Sequence, residues 1–337
     1  MGPSESRMTN PFWNRDERRV RAFWRIFAQL SLRILFLIGL VQLLRSSAVA
    51  LGVSSGEAQG WRSFLREFHP ELPTSSALVQ GVEMVASIAS AVVATRWLDR
   101  RPFASLGFSV RRSAWWHDLA FGFGAGLVAI ASIVGCEMAL GRVHLGGGAN
   151  PFASPYPLIA WLVFGLVGCV FNGVEEEISD GRAYLIRNAA EGLAGGRVSP
   201  QVALIIALLI GSTLFGLAHF PGGGASLALG TGVVGVMFGL SYVLTGEIAI
   251  AIGLHTAWNF AQINLVNLSE DPARPIPPVL TLSATNSPVD IERSGSILVG
   301  IFIGVILTLA WVSVTRGSLR LPVERFGASS PRREPTR

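Results

Sequence analysis

The chain has 337 residues, 50% of them hydrophobic and only 15% charged, with a mean hydropathy of +0.48. That balance is too apolar and too poor in charge for a soluble domain of this size. All 27 basic residues are arginine, and the formal net charge of +5 sits mostly in the two tails and one loop, which suits orientation against an anionic lipid leaflet and not nucleic acid. Cys136 and Cys169 both fall inside apolar runs, where free cysteine behaves as a small hydrophobe, so a disulfide framework and a CxxC metal site are excluded.

Residues 1–22 are polar and arginine-rich and lack a small-residue cleavage site ahead of a short apolar core, so they read as a cytoplasmic tail. The first span follows over about 23–44. Arg25 is expected to snorkel to the interface, while Arg33 is deep enough to need a partner or a tilted helix. Residues 45–76 read as an external loop or a short surface helix, and a second span over about 77–97 leads into the arginine-dense cytoplasmic loop Arg100 to Arg112. The third span, about 119–140, is rich in the small residues that let membrane helices approach closely.

A glycine run at Gly146 to Gly148 makes a loop, and the fourth span, about 157–173, delivers the most unusual stretch of the chain: Glu175, Glu176, Glu177, Asp180 and Arg182. Taking one such charge to the bilayer centre costs at least about 2.5–3.5 kcal/mol, so these groups are expected to face a polar cavity and to have a use. A solvated helix end is the plainer alternative. Spans five to eight are expected over about 202–218, 227–244, 248–265 and 297–314, with residues 266–293 a proline-rich loop. Each run is close to the roughly 20 residues a spanning helix needs.

The expected fold is therefore an all-α polytopic membrane protein, a bundle of about eight transmembrane helices. It comprises an N-terminal tail 1–22, a membrane domain 23–314 and a C-terminal tail 315–337. An even count puts both arginine-rich tails on the cytoplasmic side of the cell's inner (plasma) membrane. No internal repeat is evident, which weighs against a transporter built from inverted halves.

Phe215 and His219 are four residues apart, as are His255 and Asn259, so each pair shares one helix face. A lone buried histidine is more often a satisfied core residue than a ligand. Two of them with an asparagine and an acidic cluster on a third helix reverse that preference, because bundles build metal and acid–base sites from such side chains.

An acidic motif with arginine, then FxxxH, then HxxxN, in this order, resembles the CPBP family of intramembrane proteases, which includes type II CAAX prenyl endopeptidases and bacteriocin-processing and immunity proteins. The likeness extends to Arg101–Phe108 and Thr245–Gly246, about residues 80–265 in all. The resemblance implies an intramembrane endopeptidase that hydrolyses a peptide bond near the cytoplasmic membrane face, acting on a peptide or protein substrate within the lipid bilayer. It implies Glu176 or Glu177 as general base on a water and His219, His255 and Glu177 as ligands of a divalent metal, zinc foremost. In a metal-free site the histidines would polarise water and carbonyl directly. Asn259 would supply an amide to the oxyanion, and Arg182 would hold a carboxylate.

The family pattern is EExxxR, but here the pair Glu176–Glu177 is followed by four residues before Arg182. Glu177 keeps the five-residue offset to arginine. Choosing Glu176 keeps the pair and requires one extra residue, which a π-bulge could absorb. The offset favours Glu177. The altered motif also leaves a second class open, a non-catalytic membrane immunity or scaffold protein that retains the polar cavity.

Overall fold

The computed structural model describes residues 10–14, 17–52, 74–146, 158–179, 182–194, 198–267, 279–285 and 293–327. Helices dominate: α1 Ala22–Ala50, α2 Thr74–Val93 with a π turn over Ala94–Leu98, α3 Ser113–Ala139, α4 Leu158–Ser179, α5 Ala183–Leu193, α6 Pro200–Thr245, α7 Ala249–Phe260 with a π turn over Ala261–Leu265, and α8 Ile297–Arg316. The expected all-α polytopic membrane protein is what the chain forms. Strands are few and short: β1 Trp13–Asn14 pairs with β2 Arg19–Val20, while β3 Val143–Leu145 and β4 Val266–Asn267 flank β5 Leu280–Ala284. That last strand lies within the stretch expected to be loop. The glycine run and the Asp180–Gly181 dipeptide fall largely or wholly outside the described residues.

Among the described residues six helices are long and apolar enough to cross a membrane, against eight expected spans. The difference has two sources. The first is α6, which reverses direction at Gly223 (φ −172°, ψ 17°) and Gly224 (φ 69°, ψ −157°). The left-handed φ at Gly224 is one that a side chain would strain. A Cβ added to Gly216 would lie 2.3 Å from the Ala228 carbonyl oxygen, and one added to Gly239 would lie 2.4 Å from Leu208. In a straight helix Leu208 and Gly239 would be about 46 Å apart at 1.5 Å per residue. The two arms therefore lie antiparallel, as the fifth and sixth expected spans require. The second source is α7, whose α-helical part is short and reaches spanning length only with its π turn.

Packing follows the small residues. Helix α3 lies along α7 and α2 along α4; a Cβ on Gly122 would meet the Ile250 oxygen at 2.4 Å, so α3 and α7 touch backbone to backbone as small residues permit. The common core holds Ile130, Ile133, Phe238, Tyr242, Leu254 and Trp258, all buried.

Arg25 departs from the expected snorkelling, being 1% exposed. Its Nη1 lies 3.0 Å from Asp99 Oδ1 and its Nη2 3.6 Å from Glu191 Oε2. Asp99 also accepts from Tyr184 Oη at 3.1 Å and Asn188 Nδ2 at 3.3 Å, and Glu191 is met by Arg19 and by both terminal nitrogens of Arg101 at 2.9 and 3.2 Å. A buried guanidinium is costly unless paired, and here α2 and α5 present carboxylates to it directly. Burial and then the neighbouring Arg187 and Arg19 pull the Arg101 guanidinium down to about 10. Beside this cluster Arg187 donates to the Arg325 carbonyl, and Phe326 packs on Tyr242 with ring centroids 5.1 Å apart. The described stretches nearest the two tails thus meet at one end of the bundle, as an even number of crossings requires.

Candidate active site

Helix α4 breaks inside the acidic motif. It ends at Ser179, and Arg182 stands at the head of α5. No π turn interrupts α4 over its described length. Glu175 touches Arg33, eight residues beyond Arg25 on α1. At 1.5 Å per residue that is about 12 Å deeper along α1 than the Arg25–Asp99 pair.

Successive helical residues project about 100° apart, so the three glutamates leave α4 in different directions, Glu175 toward α1 and α2 and the other two toward opposite nitrogens of His255. Glu175 turns to α1 and α2, where it pairs with Arg33 and accepts from Ser87 Oγ at 3.2 Å. The deep arginine of the first span thus has the partner it was expected to need. Glu176 faces α7: its Oε2 lies 3.3 Å from His255 Nε2, and its Oε1 accepts from Asn172 Nδ2 at 2.7 Å. Glu177 meets His255 Nδ1 at 2.8 Å through Oε1 and lies 3.1 Å from Arg182 Nε through Oε2. Gly173 makes this reach possible, because a Cβ there would meet Thr256 Oγ1 at 2.8 Å and hold α4 away from α7.

The site has a closed side and an open side. Glu177, Arg182 and His255 are buried, with side-chain exposures of 0%, 1% and 3%, whereas the Glu176 side chain keeps 16%. On the closed side the Arg182 guanidinium lies 4.0 Å from the Phe215 ring centroid and 5.3 Å from that of Phe238, and Phe238 stacks on His255 at 4.8 Å. Among the described residues Arg182 Nη1 and Nη2 have no hydrogen-bond partner, nor do Ser179 Oγ, Thr256 Oγ1 and Trp258 Nε1. On the open side Asn259 Nδ2 donates to Asn172 Oδ1 at 2.6 Å, and Asn172 Nδ2 also donates to Gln80 Oε1 at 3.3 Å.

Of the residues expected at the site, Glu176, Glu177, Arg182, His255 and Asn259 are joined by these contacts. His219 is joined only at one remove: its Nδ1 contacts the Phe215 carbonyl at 2.9 Å, and the Phe215 ring neighbours both imidazoles, 4.8 Å from that of His219 and 5.9 Å from that of His255. Among the described residues no group of three His, Cys, Asp or Glu side chains is arranged to hold a metal ion. The expected set of His219, His255 and Glu177 does not assemble in this arrangement, since both His255 nitrogens face carboxylates. Sequence reasoning missed Asn172 and Gln80. Asn172 had a signal, being a polar residue in an apolar run one helical turn ahead of Glu176, the same spacing that singled out Asn259 after His255.

Residues 158–261 match the family described as type II CAAX prenyl endopeptidase Rce1-like. That stretch holds α4 to α7 and every residue of the expected motif except the flanking Arg101–Phe108 segment, and over it the resemblance to CAAX-protease-like membrane endopeptidases is borne out. No curated protein and no solved structure matches the chain.

Proposed function

We propose that this protein is an intramembrane endopeptidase in which Glu176 is the general base. The observation that carries the reading is the row Glu176–His255–Glu177–Arg182, with Glu176 alone keeping an accessible edge. Buried, paired Glu177 serves instead as the orienting carboxylate. Facing an oxygen of a carboxylate that Arg182 neutralises, His255 Nδ1 carries its proton and donates it to Glu177.

Substrate entering on the open side meets a water held by Glu176. The carboxylate takes the water proton as oxygen attacks the scissile carbonyl carbon, and the oxyanion accepts from the free N–H of Asn259. Collapse breaks the C–N bond, and the proton on Glu176 goes to the departing amine. Among the described residues no three His, Cys, Asp or Glu side chains are arranged to hold a metal ion, and these steps use the chain's own residues alone. The depth of Glu175 along α1 supports cleavage within the membrane-spanning bundle, deeper than the cytoplasmic face. Both tails are proposed to be cytoplasmic.

The test is cleavage of a quenched peptide library by the detergent-purified chain, with Glu176→Gln as control. Hydrolysis that this variant abolishes supports the reading. A parent chain inactive on every peptide would replace it with the immunity or scaffold reading.

A further inference from the structure

Asn172 lies one helical turn before Glu176 on α4, so both share a face. Its carboxamide makes three contacts: Nδ2 donates to Glu176 Oε1 at 2.7 Å and to Gln80 Oε1 at 3.3 Å, and Oδ1 accepts from Asn259 Nδ2 at 2.6 Å. We infer that Asn172, backed by Gln80, is a positioning residue that orients both the base Glu176 and the oxyanion donor Asn259. The inference rests on the hydrolytic reading above.

The chemistry of the groups makes the arrangement directional. An asparagine amide has two N–H donors and one acceptor oxygen, and an ionised carboxylate only accepts. Glu176 therefore draws the NH2 end of Asn172 toward itself, and the Gln80 oxygen takes the second hydrogen. The Asn172 oxygen is left facing Asn259, which must answer with its own NH2 end, because the opposite flip would set two oxygens face to face. Asn259 Nδ2 spends one hydrogen on Asn172 and keeps the other. Glu176 is fixed in turn: with Oε1 held by Asn172, Oε2 is the oxygen that meets His255 Nε2 at 3.3 Å. One amide thus dictates which oxygen of the base works and which end of Asn259 points toward the substrate.

Asn172 and Gln80 belong to none of the motif elements read from the sequence, and Gln80 comes from α2, outside the matched residues 158–261. Gln80, Asn172, Glu176 and Asn259 are all only partly buried. They line the open side, where substrate must arrive.

The experiment is steady-state kinetics on a peptide the parent chain cleaves, comparing Asn172→Ala, Asn259→Ala, the double variant, Asn172→Asp and Gln80→Leu, each matched for thermal stability. Misplacing a reacting group by about 1 Å can cost about 10²-fold, so Asn172→Ala should lower kcat roughly 10- to 100-fold with KM nearly unchanged. Because Asn172 works through Asn259, the double variant should fall well short of the product of the two single losses. Asn172→Asp keeps an acceptor for Asn259 but sets a second carboxylate against Glu176, and should be at least as slow as Asn172→Ala. Gln80→Leu should show a smaller loss in kcat. Parent-like kcat for Asn172→Ala, or fully multiplicative losses, would overturn the positioning role while leaving the hydrolytic reading standing. A parent chain that cleaves nothing would overturn both.

Discussion

Arg25 and Arg182 are equally hidden, each 1% exposed, yet their surroundings differ in what they leave over. Around Arg25 two carboxylates are met by three arginines, a tyrosine hydroxyl and an asparagine amide, so both carboxylates are satisfied and, of the Arg25 guanidinium, Nε alone has no partner among the described residues. Around Arg182 a single carboxylate oxygen lies 3.1 Å from Nε, out of line for a hydrogen bond, and the rest of the guanidinium is covered by Phe215 and Phe238. A desolvated cation over an aromatic face gains about 2 kcal/mol, which keeps the charge in place without using its donors. Saturated clusters tie helices together; a cluster with unspent donors and an accessible carboxylate is arranged to receive something.

Glu176→Gln tests this contrast most severely. Peptide hydrolysis should fall by about 10²–10⁴-fold while thermal unfolding in detergent stays at the parent value, because Glu176 pairs with no buried arginine. Glu177→Gln should lose activity and stability together, since it strands the Arg182 charge. Activity kept in Glu176→Gln and lost in Glu177→Gln would return the base to Glu177.

Arg25→Ala should behave oppositely. Breaking a buried pair by removing one partner costs about 3–5 kcal/mol, so the melting temperature should drop markedly while turnover per folded molecule is kept. Turnover lost without a change in melting would break the division between the two clusters. A smaller effect is expected for Phe238→Leu, which removes the stack on His255: an aromatic pair contributes about 0.5–1.5 kcal/mol beyond its area, and kcat should fall with it. His219→Gln should be mildest, less than about tenfold in kcat, equivalent to about 1.4 kcal/mol. A loss as deep as that of His255→Gln would mean that the two imidazoles act as one unit during turnover.

Much of the fold was legible because the bilayer imposes it. Apolar runs near spanning length predicted the helices, including both arms of the α6 hairpin, which the Gly-rich stretch Gly222–Gly224 separates. The β5 strand was not legible, since its pairing with Val143–Leu145 joins residues far apart in sequence. Spacings of four residues marked His255 with Asn259 because a helix brings such residues to one face.

What the sequence by itself determined is therefore the membrane class, the helical bundle and the small set of residue types from which a site had to be drawn. Only the tertiary structure decided how they divide. Three adjacent glutamates are equivalent in a string of letters, but projecting about 100° apart they meet Arg33, Asn172 and Arg182 in turn. Arg25 looked free to reach the interface until α2 and α5 brought Asp99 and Glu191 to it. His219 looked equivalent to His255, but the glutamates meet His255 while the contacts of His219 are to Phe215. For Glu175, Glu177 and Arg25 the deciding contact comes from another helix, and interhelical packing is not written in the spacing of any one segment.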